Sequence, residues 1–66
     1  APISIAPSNG PGLNVGVFGA TGQVGGVMRA LLAERRFPVA SMRYFDSDRS
    51  AGTLLPWAGG HVEVED

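Results

Sequence analysis

The stretch Gly19-Ala20-Thr21-Gly22-Gln23-Val24-Gly25 constrains this chain more than any other. It follows an apolar run, Val15-Gly16-Val17-Phe18, and opens a helix-like run from Val24 to Arg36. A glycine-rich turn between a strand and a helix is suited to holding phosphate. Its backbone N–H groups are not screened by side chains, and the helix start adds unpaired N–H groups and partial positive charge. Glycines spaced three apart serve a tight turn, close approach of a pyrophosphate, and close packing of helix on strand. Gly26 adds a further small residue and fits the same close approach.

The flanking pattern sets this turn in a βαβ unit. Leu13 to Phe18 reads as a strand covered on both faces. Gly16 weakens that strand unless something packs closely over it. Gln23 to Arg36 reads as a helix: Val24, Val27, Met28, Leu31 and Leu32 form one apolar stripe. Thr21 is the expected N-cap, and Arg35 and Arg36 suit the negative C-terminal end. Pro38 stops the helix. Ser41 to Asp46 reads as the second strand, parallel to the first, and Ser47 to Gly52 as the loop at its C-terminal end. Ligands of open α/β sheets bind at that edge. Thr53 to Asp66 reads as a hairpin turning at Gly59-Gly60, with Val62 and Val64 on its buried face and Pro56 at an edge or bulge. Residues 1–12, with three prolines, two glycines and the turn signal Ser8-Asn9-Gly10, read as a flexible tail.

Composition narrows the class. At 66 residues, 44% hydrophobic and 17% charged, the chain is globular in character but short. A core this small rarely sustains a fold without staples, and there is no cysteine to supply a disulfide or a thiolate metal site. The expectation is a portion of a larger fold or a piece completed by a partner. Five arginines, no lysine and six acids give a net charge of −1. That offers no basic field for nucleic acid and no polybasic patch for a membrane. No transmembrane run or signal-peptide pattern is visible, so a cytoplasmic location is the default reading.

The loop after the second strand is expected to choose the cofactor. An acid there favours a free ribose 2′-hydroxyl, whereas an arginine accommodates a 2′-phosphate. Asp46-Ser47-Asp48-Arg49-Ser50 carries both. Asp46 lies 21 residues beyond Gly25, near the spacing of a ribose-binding acid. Arg49 can form two charge-assisted hydrogen bonds to a phosphate, with Ser47 and Ser50 adding hydroxyl donors. The alternative for Arg49 is a solvated arginine paired with Asp46 or Asp48. His61 has no neighbours at metal-ligand spacing and reads as surface or structural. Trp57 and Tyr44 read as core or interface, and Glu63, Glu65 and Asp66 as a solvated acidic edge. No nucleophile–base pair is visible, so no catalytic residue and no metal ligand is assigned.

From Leu13 to Asp66 the sequence resembles the N-terminus of the aspartate-semialdehyde dehydrogenases, especially the bacterial form. The resemblance is carried by Val15 to Gly25, by Leu31-Leu32-Ala33-Glu34-Arg35 with Phe37-Pro38, and by Arg43-Tyr44-Phe45. It continues through Ser47-Asp48-Arg49-Ser50-Ala51-Gly52 and Gly60 to Asp66. It implies a partial Rossmann-like NAD(P)-binding fold of class α/β, a βαβ unit plus a C-terminal hairpin. This would be the N-terminal fragment of a larger two-domain, homodimeric enzyme. Residues 13–66 would then be the first part of its NADP-binding domain. Gly19, Thr21, Gly22, Gln23 and Val24 would line the pyrophosphate, and Ser47, Arg49 and Ser50 would hold the 2′-phosphate of NADP. The implied reaction is NADPH-dependent reductive dephosphorylation of L-aspartyl 4-phosphate to aspartate semialdehyde, on the route to lysine, threonine and methionine. The family uses a cysteine nucleophile and a histidine acid/base, both downstream of the matched region. Asp46 and Asp48 depart from the small neutral residues frequent among relatives.

Three alternatives remain open on sequence. N-acetyl-glutamyl-phosphate reductases share the architecture but usually carry tyrosine and threonine where Gln23 and Val24 stand. Short-chain-type reductases and epimerases also use a Gly-Ala-Thr-Gly turn, with a downstream Tyr-x-x-x-Lys pair. A non-catalytic nucleotide-binding module is the third. The chain on its own is predicted to be marginally folded. Heating it while following circular dichroism should give a gradual loss of signal, and a sharp cooperative transition would contradict this expectation.

Overall fold

The computed structural model describes residues 3–66. Its elements in chain order are β1 (Ile3–Pro7), β2 (Leu13–Phe18), α1 (Gln23–Glu34), β3 (Val39–Phe45), β4 (Leu54–Trp57) and β5 (Gly60–Glu65). They form a five-stranded mixed sheet in the order β1-β2-β3-β5-β4. β2 and β3 are parallel and joined through α1, giving the expected βαβ unit, and β5 is parallel to β3. The fold is therefore α/β and Rossmann-like. No helix among the described residues is long and apolar enough to cross a membrane.

Register explains where the core lies. Ile3 pairs with Val17, Val17 with Tyr44, and Tyr44 with Val64. Alternation along each strand puts these side chains on one face, and Val17, Tyr44 and Val64 are almost completely buried. Val15, Met42, Ala20 and Leu32 of the helix complete the core. The Tyr44 hydroxyl keeps a partner by donating to the Pro56 carbonyl at 3.2 Å. Burial disfavours its ionised form and raises its pKa. The opposite face carries Phe18 stacked on Phe45, with ring centroids 4.9 Å apart. A Cβ on Gly16 would stand 3.2 Å from the Phe45 ring, so the close packing expected over this glycine is supplied by Phe45.

Four sequence readings are corrected. Residues 3–7 are not a free tail: they form β1, antiparallel to β2. The turn between them is held by the Ser8 hydroxyl, which donates to the Gly10 and Gly12 carbonyls and accepts the Gly10 N–H. Composition missed this strand because Ile3 and Ile5 are useful only when β2 offers a free edge. The helix ends at Glu34, not Arg36. Arg36 takes a left-handed φ of 51°, and the Phe37 N–H returns to the Leu32 carbonyl at 3.1 Å, which closes the last turn. The second strand runs Val39–Phe45, so Asp46 lies just beyond its end. The hairpin turns at Ala58-Gly59, not Gly59-Gly60, since Trp57 pairs with Gly60. Both turn residues have positive φ, 50° and 82°, as a two-residue hairpin of this hand requires. Pro56 does lie on the edge strand, β4.

The apolar stripe of α1 is only half used. Gly25 and Leu32 are buried and Met28 is partly buried, while Val24, Val27 and Leu31 are exposed. The helix is rolled so that Gly25 meets the preceding turn. A Cβ on Gly25 would lie 2.1 Å from the Gly19 carbonyl oxygen and 2.7 Å from Ala20 Cα. Gly26 is different: the nearest atom to its Cβ position is the movable Arg29 Nη2 at 3.6 Å. Close helix–strand packing thus belongs to Gly25, and Gly26 is not part of it. Gly25→Ala is expected to abolish the native far-ultraviolet circular dichroism, because the backbone clash exceeds what overpacking at about 1–3 kcal/mol leaves tolerable in a small core. Gly26→Ala should retain or increase the helical signal, by about 0.5–1 kcal/mol of helix propensity.

Candidate functional site

The site is built at the carboxyl ends of β2 and β3. The turn after β2 is tied to the end of β3 by two hydrogen bonds. Gly19 N–H and Ala20 N–H both donate to the Phe45 carbonyl, at 2.8 and 3.1 Å. Gly19 adopts φ 72°, and Gly22 N–H returns to the Gly19 carbonyl at 2.9 Å. The first helical bond then runs from Gly26 N–H to the Gly22 carbonyl at 2.9 Å. Gly22 is the N-cap and makes no side-chain cap bond. Thr21 is therefore not the cap that its position in the sequence led one to expect.

Thr21 is turned instead toward Asp46. Its N–H donates to Asp46 Oδ2 at 2.9 Å, and its hydroxyl makes a second, short hydrogen bond to the same oxygen. Asp46 Oδ1 accepts the Ser47 N–H at 2.8 Å. The Thr21 hydroxyl also lies 3.2 Å from the Ser50 hydroxyl. Thr21, Asp46, Ser47 and Ser50 thus form one cluster joining the glycine turn to the loop after β3. That loop is held by Asp46 N–H to the Glu65 carbonyl and Gly52 N–H to the Val64 carbonyl, both 2.9 Å, and by Ser50 N–H to the Ser47 carbonyl. The Thr21 hydroxyl, then the Ser47 and Thr21 N–H groups, hold the Asp46 carboxyl below the usual carboxylate range. Spacing had marked Asp46 for a ribose; it did not reveal the contact with Thr21, which only the β2–β3 pairing creates.

This bonding pattern decides which turn donors face a ligand. The N–H groups of Gly19, Ala20, Thr21 and Gly22 are all occupied. Among the described residues, Gln23, Val24 and Gly25 present N–H groups with no partner, as the first turn of an uncapped helix must. Nothing lies within 4 Å of the place where a Cβ on Gly19 would stand, so the mouth of the turn is open. Free donors, an open mouth and a helix start fit the phosphates of a dinucleotide. Of the residues proposed for the pyrophosphate, Gln23 and Val24 carry unpaired backbone donors. Gly19 and Gly22 shape the turn, and Thr21 points to Asp46.

A hollow of about 420 Å³ adjoins the turn, lined by Phe18, Gly19, Phe45, Asp46, Ser47 and Asp66. Asp66, read from sequence as solvated edge, belongs to this hollow because β5 pairs with β3 and ends beside it. Arg49 is exposed and, among the described residues, forms no ion pair with Asp46 or Asp48. The observed ion pair is Arg43 with Glu65, which lowers the Glu65 pKa and includes an Arg43 Nε to Glu65 Oε2 bond of 2.8 Å. It is exposed and contributes little to stability. His61 is exposed on β5, away from the cluster.

The Thr21–Asp46 contact has a pH signature. A depressed carboxylate pKa means that the contact stabilises the fold above the usual Asp range, and that this contribution disappears as pH falls through the lowered value. Carboxyl ¹³C titration should place Asp46 below the usual carboxylate range. Thr21→Val, which deletes the hydroxyl donor but keeps the N–H, should move Asp46 upward toward its ordinary value.

Comparison with known proteins agrees with this geometry. Residues 14–66 match the family described as semialdehyde dehydrogenase, NAD binding domain. An aspartate-semialdehyde dehydrogenase of Streptomyces akiyoshiensis is 63% identical over 54 residues, covering 82% of this chain and 15% of the relative. That of Corynebacterium glutamicum is 56% identical over 52 residues, covering 79% and 15%. Among solved structures, aspartate semialdehyde dehydrogenase II of Vibrio cholerae superposes with a TM-score of 0.72 at 43% identity, covering 74% of this chain and 16% of that one. A probable aspartate-semialdehyde dehydrogenase of Pseudomonas aeruginosa gives 0.73 at 39% identity, covering 77% and 15%. The chain spans about 15% of the length of the curated relatives it matches. With the glycine turn, the parallel β2–β3 pair and the matched residues all in agreement, the chain belongs to the NAD-binding domain family of the semialdehyde dehydrogenases.

Proposed function

We propose that this chain supplies the first part of the cofactor site of an aspartate-semialdehyde dehydrogenase that uses NADP(H). The reaction is reductive dephosphorylation of L-aspartyl 4-phosphate to aspartate semialdehyde, in the biosynthesis of lysine, threonine and methionine. The setting proposed is a cytoplasmic homodimer. The observation that carries the reading is the open glycine turn with the unpaired Gln23 and Val24 N–H groups, set beside a loop bearing Arg49.

The dinucleotide supplies hydride chemistry when bound. The role of this chain is to bind and orient. Gln23 and Val24 donate backbone hydrogen bonds to the pyrophosphate, while Gly19 and Gly22 keep side chains out of its path. In this reading Ser47, Arg49 and Ser50 hold a 2′-phosphate, supported by the Ser50 hydroxyl lying beside that of Thr21 and by the exposure of Arg49. Cysteine is absent from the sequence, so the acyl-transfer nucleophile of this reaction comes from outside these residues.

The test is the affinity of the full-length protein for NADP and NAD, repeated with Arg49→Ala. The substitution is expected to weaken NADP by about tenfold or more, the range of a charge-assisted pair near 1.5–3 kcal/mol, and to leave NAD nearly unchanged. Unchanged NADP affinity would remove Arg49 from the 2′-phosphate role.

A further inference from the structure

Asp46 stands where two demands conflict. It lines the hollow at the sheet's carboxyl edge together with Asp66. Its Oδ2 is occupied by both donors of Thr21, which fixes the carboxylate against the mouth of the glycine turn. Its Oδ1 accepts one N–H, from Ser47, and keeps acceptor capacity for a second donor. Arg49, the cation of the same loop, pairs with neither Asp46 nor Asp48 among the described residues, so it leaves this negative charge in place. A ribose 2′-hydroxyl can donate to Oδ1. A 2′-phosphate brings like charge to the same spot.

Building on the cofactor reading above, we infer that Asp46 is a specificity-determining residue that opposes Arg49, lowers the preference for a 2′-phosphorylated ribose, and makes the site accept NAD as well as NADP. Thr21 is its positioning partner: it holds the carboxylate ionised and aimed at the ribose position. The like-charge term acts on the phosphorylated ribose alone, so Asp46 changes the ratio of the two affinities rather than both together.

The experiment compares NADP and NAD affinities for the full-length protein, Asp46→Ala and Asp46→Asn by calorimetric titration at low salt. Asp46→Asn removes the charge while keeping an oxygen for Thr21, so it guards against a collapse of the turn. Both variants are expected to raise the NADP-to-NAD affinity ratio by about tenfold or more. The gain should shrink as ionic strength rises and screens the exposed charge. A purely structural role for Asp46 would weaken both dinucleotides together and leave the ratio unchanged, and that result overturns the inference while leaving the cofactor reading intact. If the unsubstituted protein binds neither dinucleotide, the cofactor reading itself fails and this inference falls with it.

Discussion

The contact between Gly25 and the Gly19 carbonyl governs the arrangement of this molecule. A hydrogen atom is all that fits between helix and turn at that point, since a Cβ would meet the oxygen at 2.1 Å. The approach settles α1 against the turn and the end of β2, and brings Gly22 N–H onto the Gly19 carbonyl. It also determines how the helix rolls. Gly25, Met28 and Leu32 face inward, and Val24, Val27 and Leu31 are left outside. An amphipathic stripe defines a range of possible rotations; the one tight backbone contact selects among them.

The same contact fixes the chemistry at the mouth of the turn. Phe45 accepts two turn N–H groups, Gly19 accepts a third, and Asp46 accepts the fourth. The strand ends therefore consume the donors of the turn itself and leave those of the first helical residues. Anion binding at such a site is a property of the helix start, with the glycines acting as spacers. Asp46 adds a negative charge to this otherwise electropositive place, held there by Thr21. Arg49, exposed and in no ion pair among the described residues, belongs to the same loop.

The sheet order relates the chain to the doubly wound plan. β2, β3 and β5 run parallel and adjacent, as the first three strands of such a sheet do. The other edge of β2, where the strand order of that plan reverses, is taken by β1 in the antiparallel sense. Only one face of the sheet bears a helix among the described residues, and the Phe18–Phe45 stack lies on the other. β1 forms because β2 offers unpaired backbone groups along that edge. Its five residues carry Ile3, packed against the core, the exposed Ile5, and little else to announce a strand.

The sequence by itself determined the βαβ unit, the glycine turn, the restriction of Pro56 to an edge or a bulge, and the buried faces of β2 and β5. Each of these rests on local chemistry: periodicity, glycine spacing, or a missing N–H. Resemblance across Leu13 to Asp66 identified the family, because several matched segments, from the glycine turn to the loop Ser47–Gly52 and the final strand, occur together in one order. Only the tertiary structure decided the strand character of residues 3–7, the roll of α1, and the turn at Ala58-Gly59. It alone diverted Thr21 from helix cap to Asp46. In each case the deciding partner lies far away in sequence or depends on a register that pattern does not set. Thr21 and Asp46 are the clearest instance: 25 residues separate them, and only the parallel pairing of β2 with β3 brings the hydroxyl and the carboxylate together.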